Sequence, residues 1–300
     1  MTNPPLKIRI GVSDSEPDLR HALELKHKLS LYQVEGEIKY ISHVNDIGKA
    51  HIASEFGMVM NPLTSALLND DIDVVIYPLH ETSIVQTEAL KLCALSERAD
   101  TSSQLLIRHD AFSPASDLRL KEKAVIGTQT SLEALQLKSL CPSALTCIVG
   151  QNTSHNLNML QDGAIDALLI SQVELHDSDQ LLPDLHMVSL HPKELIPKPG
   201  QGVHCYQTHI ENLRTRKIMK LVHNPDVAEE TNIERKVLRL LGEIKSTSLG
   251  VYCKKDNNGN FHAVAVLANF PSEEIKKVSL SQSTSYQLAE NIYQLLTNEL

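Results

Sequence analysis

Two separated stretches of this chain run into an apolar segment in the same way. Asp70-Asp71-Ile72-Asp73-Val74-Val75-Ile76 is echoed by Asp162-Gly163-Ala164-Ile165-Asp166-Ala167-Leu168-Leu169-Ile170. Short continuous apolar runs suit strands covered on both faces, which is how parallel sheets are buried in α/β folds. Each run follows a segment with helical spacing: Leu63, Ala66, Leu67 and Leu68 before the first, residues 155–160 before the second. The echo predicts two similar α/β units with a cleft between them.

The flanking sequence extends both units. Residues 8–12 read as a strand, and residues 18–29 as a helix, with Leu19, Ala22, Leu23 and Leu29 near helical spacing. Residues 73–77 form the next strand of the first unit. In the second unit, 123–126, 145–149 and 166–170 are expected strands, and 131–140 and 155–160 helices. Further on, the period changes. Thr231 and Glu234 have the spacing of a capping box before a helix carrying Val237, Leu238 and Leu241. Residues 249–254 and 261–267 are strand-like and joined by Asp256-Asn257-Asn258-Gly259-Asn260, a hairpin signal. Residues 286–296 place Leu288, Ile292, Leu295 and Leu296 on one helical face, completing a small α+β domain.

Composition narrows the function classes. A chain of 300 residues with 42% hydrophobic content holds about two domains, with three within range, at roughly 150 residues each. A net charge of -9, 4% aromatic residues and no tryptophan argue against nucleic acid, which needs cationic grooves and stacking platforms. No run approaches the ~18 apolar residues of a membrane span, and residues 1–5 do not resemble a signal peptide, so a cytoplasmic protein is expected. The five cysteines are scattered without a C-x-x-C pair, and no H-E-x-x-H motif occurs among the histidines. Reduced thiols are expected, and no metal site.

The motifs carry a resemblance to the porphobilinogen deaminases, also called hydroxymethylbilane synthases. Pro197-Lys198-Pro199-Gly200-Gln201-Gly202 is close to that family's P-A-P-G-Q-G. Glu234, Arg235, Leu238, Leu241 and Gly250 follow its E-R-x-x-L-x-x-L-x-G-G-C-x-x-P-I-G pattern, and residues 66–83 follow its A-L-L-x-x-x-x-D-I-A-V-H-S-x-K-D-x-P segment. The resemblance covers nearly the whole chain. It implies two similar α/β domains of the periplasmic-binding-protein type around a cleft, followed by a small C-terminal α+β domain. The implied boundaries are 1–103 with 198–222 for a discontinuous domain 1, 104–197 for domain 2 and 223–300 for domain 3.

At the positions to which the resemblance assigns chemistry, the residues differ. Glu81 stands at the catalytic aspartate, one methylene longer, with His80 at the preceding lysine. Lys245, within Glu243-Ile244-Lys245, stands at the cysteine that carries the dipyrromethane cofactor through a thioether. An ammonium offers no such linkage, so attachment is expected to be lost and no cofactor is expected. The family's carboxylate-rich substrate calls for guanidinium partners. Arg9, Ser15, Arg98 and Asp100 are kept, but Ser13, Leu132, Glu133, Gly150, Asn156 and Asp177 stand where arginines are implied.

The leading expectation is a family member of tetrapyrrole ancestry that has lost hydroxymethylbilane synthase activity and serves as a binding or regulatory homologue. Two alternatives stay open: a divergent active deaminase using Glu81, and a small-molecule binding protein using the cleft. In the last, Ser13, Thr128, Gln129, Thr130, Asn152 and His155 would line a polar site for a small anionic or polar ligand.

Overall fold

The computed structural model describes residues 6–13, 16–41, 62–82, 88–177, 185–242, 248–269 and 272–298. The first elements are β1 (Leu6–Val12), α1 (Glu16–Ser30), β2 (Val34–Tyr40), α2 (Pro62–Leu68), β3 (Val74–Pro78) and β4 (Leu90–Leu95). Next come β5 (Ser103–Arg108), β6 (Val125–Thr128), α3 (Ser131–Leu140), β7 (Leu145–Ile148), α4 (Thr153–Gln161), β8 (Ala167–Ser171), α5 (Gln172–Asp177) and β9 (Leu185–Leu190). The chain continues through β10 (His204–His209), α6 (Leu213–Met219), α7 (Pro225–Leu241), β11 (Leu249–Lys255), β12 (Phe261–Asn269), β13 (Glu274–Gln282) and α8 (Leu288–Thr297).

The chain divides into two compact units, one of residues 1–98 and 203–228, the other of 99–202 and 229–300. The first unit contains a five-stranded sheet ordered β2-β1-β3-β10-β4. The second contains a five-stranded sheet ordered β7-β6-β8-β5-β9 and a three-stranded sheet ordered β11-β12-β13. The two larger sheets share one topology. In each, the first three strands run parallel and the fourth runs antiparallel to its inner neighbour.

The sequence echo is the local cause of this likeness. Arg9 N–H donates to Asp73 Oδ2 at 2.7 Å and accepts at its carbonyl from Asp73 N–H at 2.9 Å. Val125 repeats both bonds with Asp166, at 2.8 Å and 2.9 Å. In each unit the isoleucine before that aspartate closes over a glycine, Gly11 on β1 and Gly127 on β6. Ile72 lies where a Cβ on Gly11 would go, and Ile165 Cδ1 would be 2.8 Å from a Cβ on Gly127.

Cores follow from the apolar positions. Ile8, Ile10, Leu25, Leu29 and Val74 are buried in the first unit, and Leu105, Ile107, Ile126, Leu137 and Leu169 in the second. The three-stranded sheet is covered by α7 and α8 through Val237, Leu288, Ile292 and Leu296.

One expected element is corrected. Thr231 and Glu234 do not cap a helix, because both lie inside α7, which starts at Pro225. Asn224 occupies the start instead, accepting Val227 N–H at 3.1 Å, with proline at the first helical position. The expectation of parallel strands is also incomplete, since β5 and β10 run antiparallel to neighbours on both sides. No helix among the described residues is long and apolar enough to cross a membrane.

Candidate functional site

The first unit gathers its candidates beyond the carboxyl ends of β1 and β3. Ser13 follows β1, and its hydroxyl donates to Asp18 in the first turns of α1. Glu81 ends a short 3-10 turn after β3; its side chain is exposed, 3.7 Å from His80 Nε2. An exposed carboxylate keeps its water and gains no desolvated reactivity.

Three histidines crowd this end, which sequence reading treated as ordinary solvated or core residues. His204 opens β10 opposite Pro78, and its ring lies 3.7 Å from that of His21 between centroids. Burial, then the neighbouring His21 and His80, push His204 down to about 3, so it is neutral at physiological pH. No local motif announces the cluster. Its members come from α1, the turn after β3, and β10, and only tertiary structure brings them together. Among the described residues no group of histidine, cysteine and carboxylate side chains is arranged to hold a metal ion.

The second unit brings Thr128, Gln129 and Thr130 beside Asn152 and His155, because β6 and β7 pair in parallel with Thr128 opposite Ile148. Both loops lead into helix N-termini, where unpaired backbone N–H groups and the helix dipole ordinarily favour an anion. Here the chain uses those donors itself. Glu133 Oε2 accepts Gln129 N–H at 3.0 Å and Thr130 N–H at 2.9 Å, while Thr130 Oγ1 accepts Glu133 N–H at 3.2 Å. Burial raises the Glu133 carboxyl, although these hydrogen bonds and nearby Lys198 oppose the shift. At α4, Asn152 Oδ1 accepts His155 N–H at 2.9 Å.

Neighbouring positions are equally occupied by structure. Leu132 is 4% exposed and packs with Leu135, Ile196, Val264 and Val266. Asn156 is buried, and its amide donates to Gly150 O at 2.6 Å. Thr128 is buried, with its hydroxyl 3.5 Å from Cys147 O. The Gln129 side-chain nitrogen is buried without a hydrogen-bond partner among the described residues.

Arg9, kept from the arginine set, does not reach these loops. It sits at the middle of β1, where its guanidinium holds Asp73 at 2.9 and 3.0 Å and Asp70 at 3.0 Å. Asp100 Oδ1 accepts Ser102 N–H at 2.9 Å, a local turn contact. Asp177 ends α5. Lys245 and Ser15 lie outside the described residues.

The motif residues that persist around Gly200 and Glu234 form one staple in the second unit. Glu234 is fully buried; its Oε2 accepts Gly200 N–H at 2.7 Å and its Oε1 accepts Cys253 N–H at 2.8 Å. Gly200 and Gly202 have φ of 82° and 76°, a region costly for other residues. A Cβ on Gly250 would approach Ile196 O to 2.7 Å, so only glycine lets β11 lie against that carbonyl. Cys253 is buried on β11.

Comparison with known proteins matches residues 8–217 to the family model described as porphobilinogen deaminase, dipyrromethane cofactor binding domain. Porphobilinogen deaminase of Caldicellulosiruptor saccharolyticus is 25% identical, covering 87% of this chain and 89% of the relative. That of Natranaerobius thermophilus is 23% identical, covering 98% of both chains. A probable porphobilinogen deaminase of Methanocaldococcus jannaschii is 26% identical, covering 91% of both. Among solved structures, the periplasmic VFT2 domain of BvgS from Bordetella pertussis is similar over 72% of this chain and 86% of that one, with TM-score 0.42 and 14% identity.

The family match corrects one expectation. A chain without dipyrromethane was anticipated from Lys245, but the matched domain is itself the one that binds this cofactor. One substituted attachment point does not remove a binding domain. The fit is of frame rather than charge, because the described loops offer backbone donors already used by Glu133 and Asn152 and no guanidinium for carboxylates.

Proposed function

Because the chain belongs to the porphobilinogen deaminase family of tetrapyrrole biosynthesis, we propose that it keeps the dipyrromethane-binding frame as a binding or regulatory protein and does not condense porphobilinogen. The observation that carries this reading is the first turn of α3. Leu132 is committed to the core and Glu133 to its own backbone, so two positions implied to bind substrate carboxylates are used to hold the fold. A chain extended by successive carboxylate-bearing pyrroles would meet an anion there instead of cations. Glu81, exposed and one methylene longer than aspartate, supports the same conclusion, since misplacement of about 1 Å can cost on the order of a hundredfold in rate.

The ligand in this reading is small and polar, and the protein cytoplasmic. Bound dipyrromethane is compatible with it. The test is porphobilinogen consumption by the full chain, purified from a host that makes porphobilinogen, beside an active family member. We expect consumption at the rate of the buffer blank. Catalysed conversion to a uroporphyrin precursor would overturn the reading in favour of a divergent active deaminase.

A further inference from the structure

The first unit carries a cavity at the other end of its sheet from Ser13 and Glu81. Its volume is about 540 Å³, within the size range of small-molecule sites. Arg9 lies at the middle of β1 and Asp73 just before β3, whereas Ser13 and Glu81 follow the ends of these strands. At roughly 3.3 Å per residue, the four residues from Arg9 to Ser13 put about 13 Å between the two. This cavity is therefore separate from the loops described above.

Its floor is a closed ion-pair network. The Arg9 guanidinium is held by Asp73 and Asp70, and Asn212 Nδ2 lies 3.4 Å from Asp73 Oδ1. Burial raises the Asp73 carboxyl, but the contacts with Arg9 outweigh it and hold the group below its ordinary value. The floor is thus fixed, with one guanidinium set against two carboxylates. The rim is different. Arg214 is exposed and has no ion-pair partner among the described residues. Glu211 is exposed, and the Asp70 side chain is 83% exposed, although one oxygen meets Arg9. His209 Nδ1 accepts Glu211 N–H at 3.3 Å, which leaves Nε2 outside that bond. Leu67 and Leu68 supply an apolar wall between these charges.

A site with the unpaired cation of Arg214, the exposed carboxylate of Glu211, the carboxylate of Asp70 shared with Arg9 and an apolar wall complements a molecule bearing both charges on a short hydrocarbon spacer. We propose that this pocket binds a small aminocarboxylate zwitterion, its carboxylate on Arg214 and its ammonium on Asp70 and Glu211. The spacer lies along Leu68. A simple anion would face the two carboxylates, and a simple amine would face Arg214. The site stands on this cavity alone and holds whether or not the chain condenses porphobilinogen.

The test is calorimetric titration of the full chain at pH 7 with 6-aminohexanoate, hexanoate and hexylamine. The zwitterion is expected to bind at least about tenfold more tightly than either singly charged analogue. Arg214→Ala is expected to remove that advantage with an unchanged melting temperature, because the side chain is exposed. Asp70 has a φ of 60°, which asparagine tolerates, so Asp70→Asn removes the charge without backbone strain. If that variant melts early through loss of its Arg9 contact, Glu211→Gln makes the same test from the rim. Equal affinities for the three probes, no binding of any, or full zwitterion affinity in Arg214→Ala would each overturn the proposal.

Discussion

The Glu234 staple and the first turn of α3 are two family segments in the same unit with opposite histories. In the staple, Glu234, Gly200 and Gly250 match the family pattern, and each has a structural reason: two buried N–H groups to accept, a φ of 82° and a close carbonyl. In α3, the positions implied to be arginines have become Leu132 and Glu133, one packed in a core and the other closed on its own helix. Family resemblance therefore persists here where residues hold the backbone, and it has gone where residues would hold a carboxylate-rich substrate.

The comparison is broken most sharply by returning a cation to α3. Leu132→Arg buries an unpaired charge in an apolar cluster and is expected to cost about 3–5 kcal/mol in urea unfolding. A loss under about 1 kcal/mol would mean that the position is not committed to the core. Glu234→Ala is expected to cost about 2–4 kcal/mol, since two buried N–H donors lose their acceptor. Near-wild-type stability there would remove the structural reason given for the staple.

The histidine cluster predicts a pH effect. His204 has a folded value of about 3 against an ordinary 6.5, so below pH 6.5 the unfolded chain takes up a proton that the folded chain refuses. Stability present above about pH 6.5 is lost as pH falls toward 3, by up to about 1.4 kcal/mol per pH unit. His204→Gln should flatten the melting temperature between pH 7 and pH 5; an equally steep profile would show that other groups set it. Smaller still, Thr130→Ala removes the α3 cap and should cost about 1 kcal/mol. Glu81→Gln, at an exposed position, should move stability by less than about 0.5 kcal/mol, and a larger loss would show that Glu81 holds the fold.

Much of this fold was legible because the parallel strands are apolar runs and their helices keep a 3.6 period. The α3 bounds and β8 came from that signal, and the 249–267 hairpin from its turn at Asp256–Asn260. What escaped depends on partners distant in sequence. The pattern His204-Cys205-Tyr206-Gln207-Thr208-His209 reads as polar, yet Cys205 to Thr208 are buried as β10 runs between β3 and β4. Glu234 looked like a capping residue because spacing cannot show that its carboxylate serves Gly200 and Cys253. The site was legible as a set of substitutions, whereas the use made of them was not. Local sequence shows that Glu133 is an anion; only the structure shows it closing on Gln129 and Thr130.

The central claim is that a dipyrromethane-binding frame persists without pyrrole condensation. Intact-mass spectrometry of the purified chain before and after incubation with porphobilinogen tests it most directly. The account predicts the same mass spectrum at both times, whatever is bound at the start. A ladder of added masses, each one pyrrole unit heavier, would contradict it.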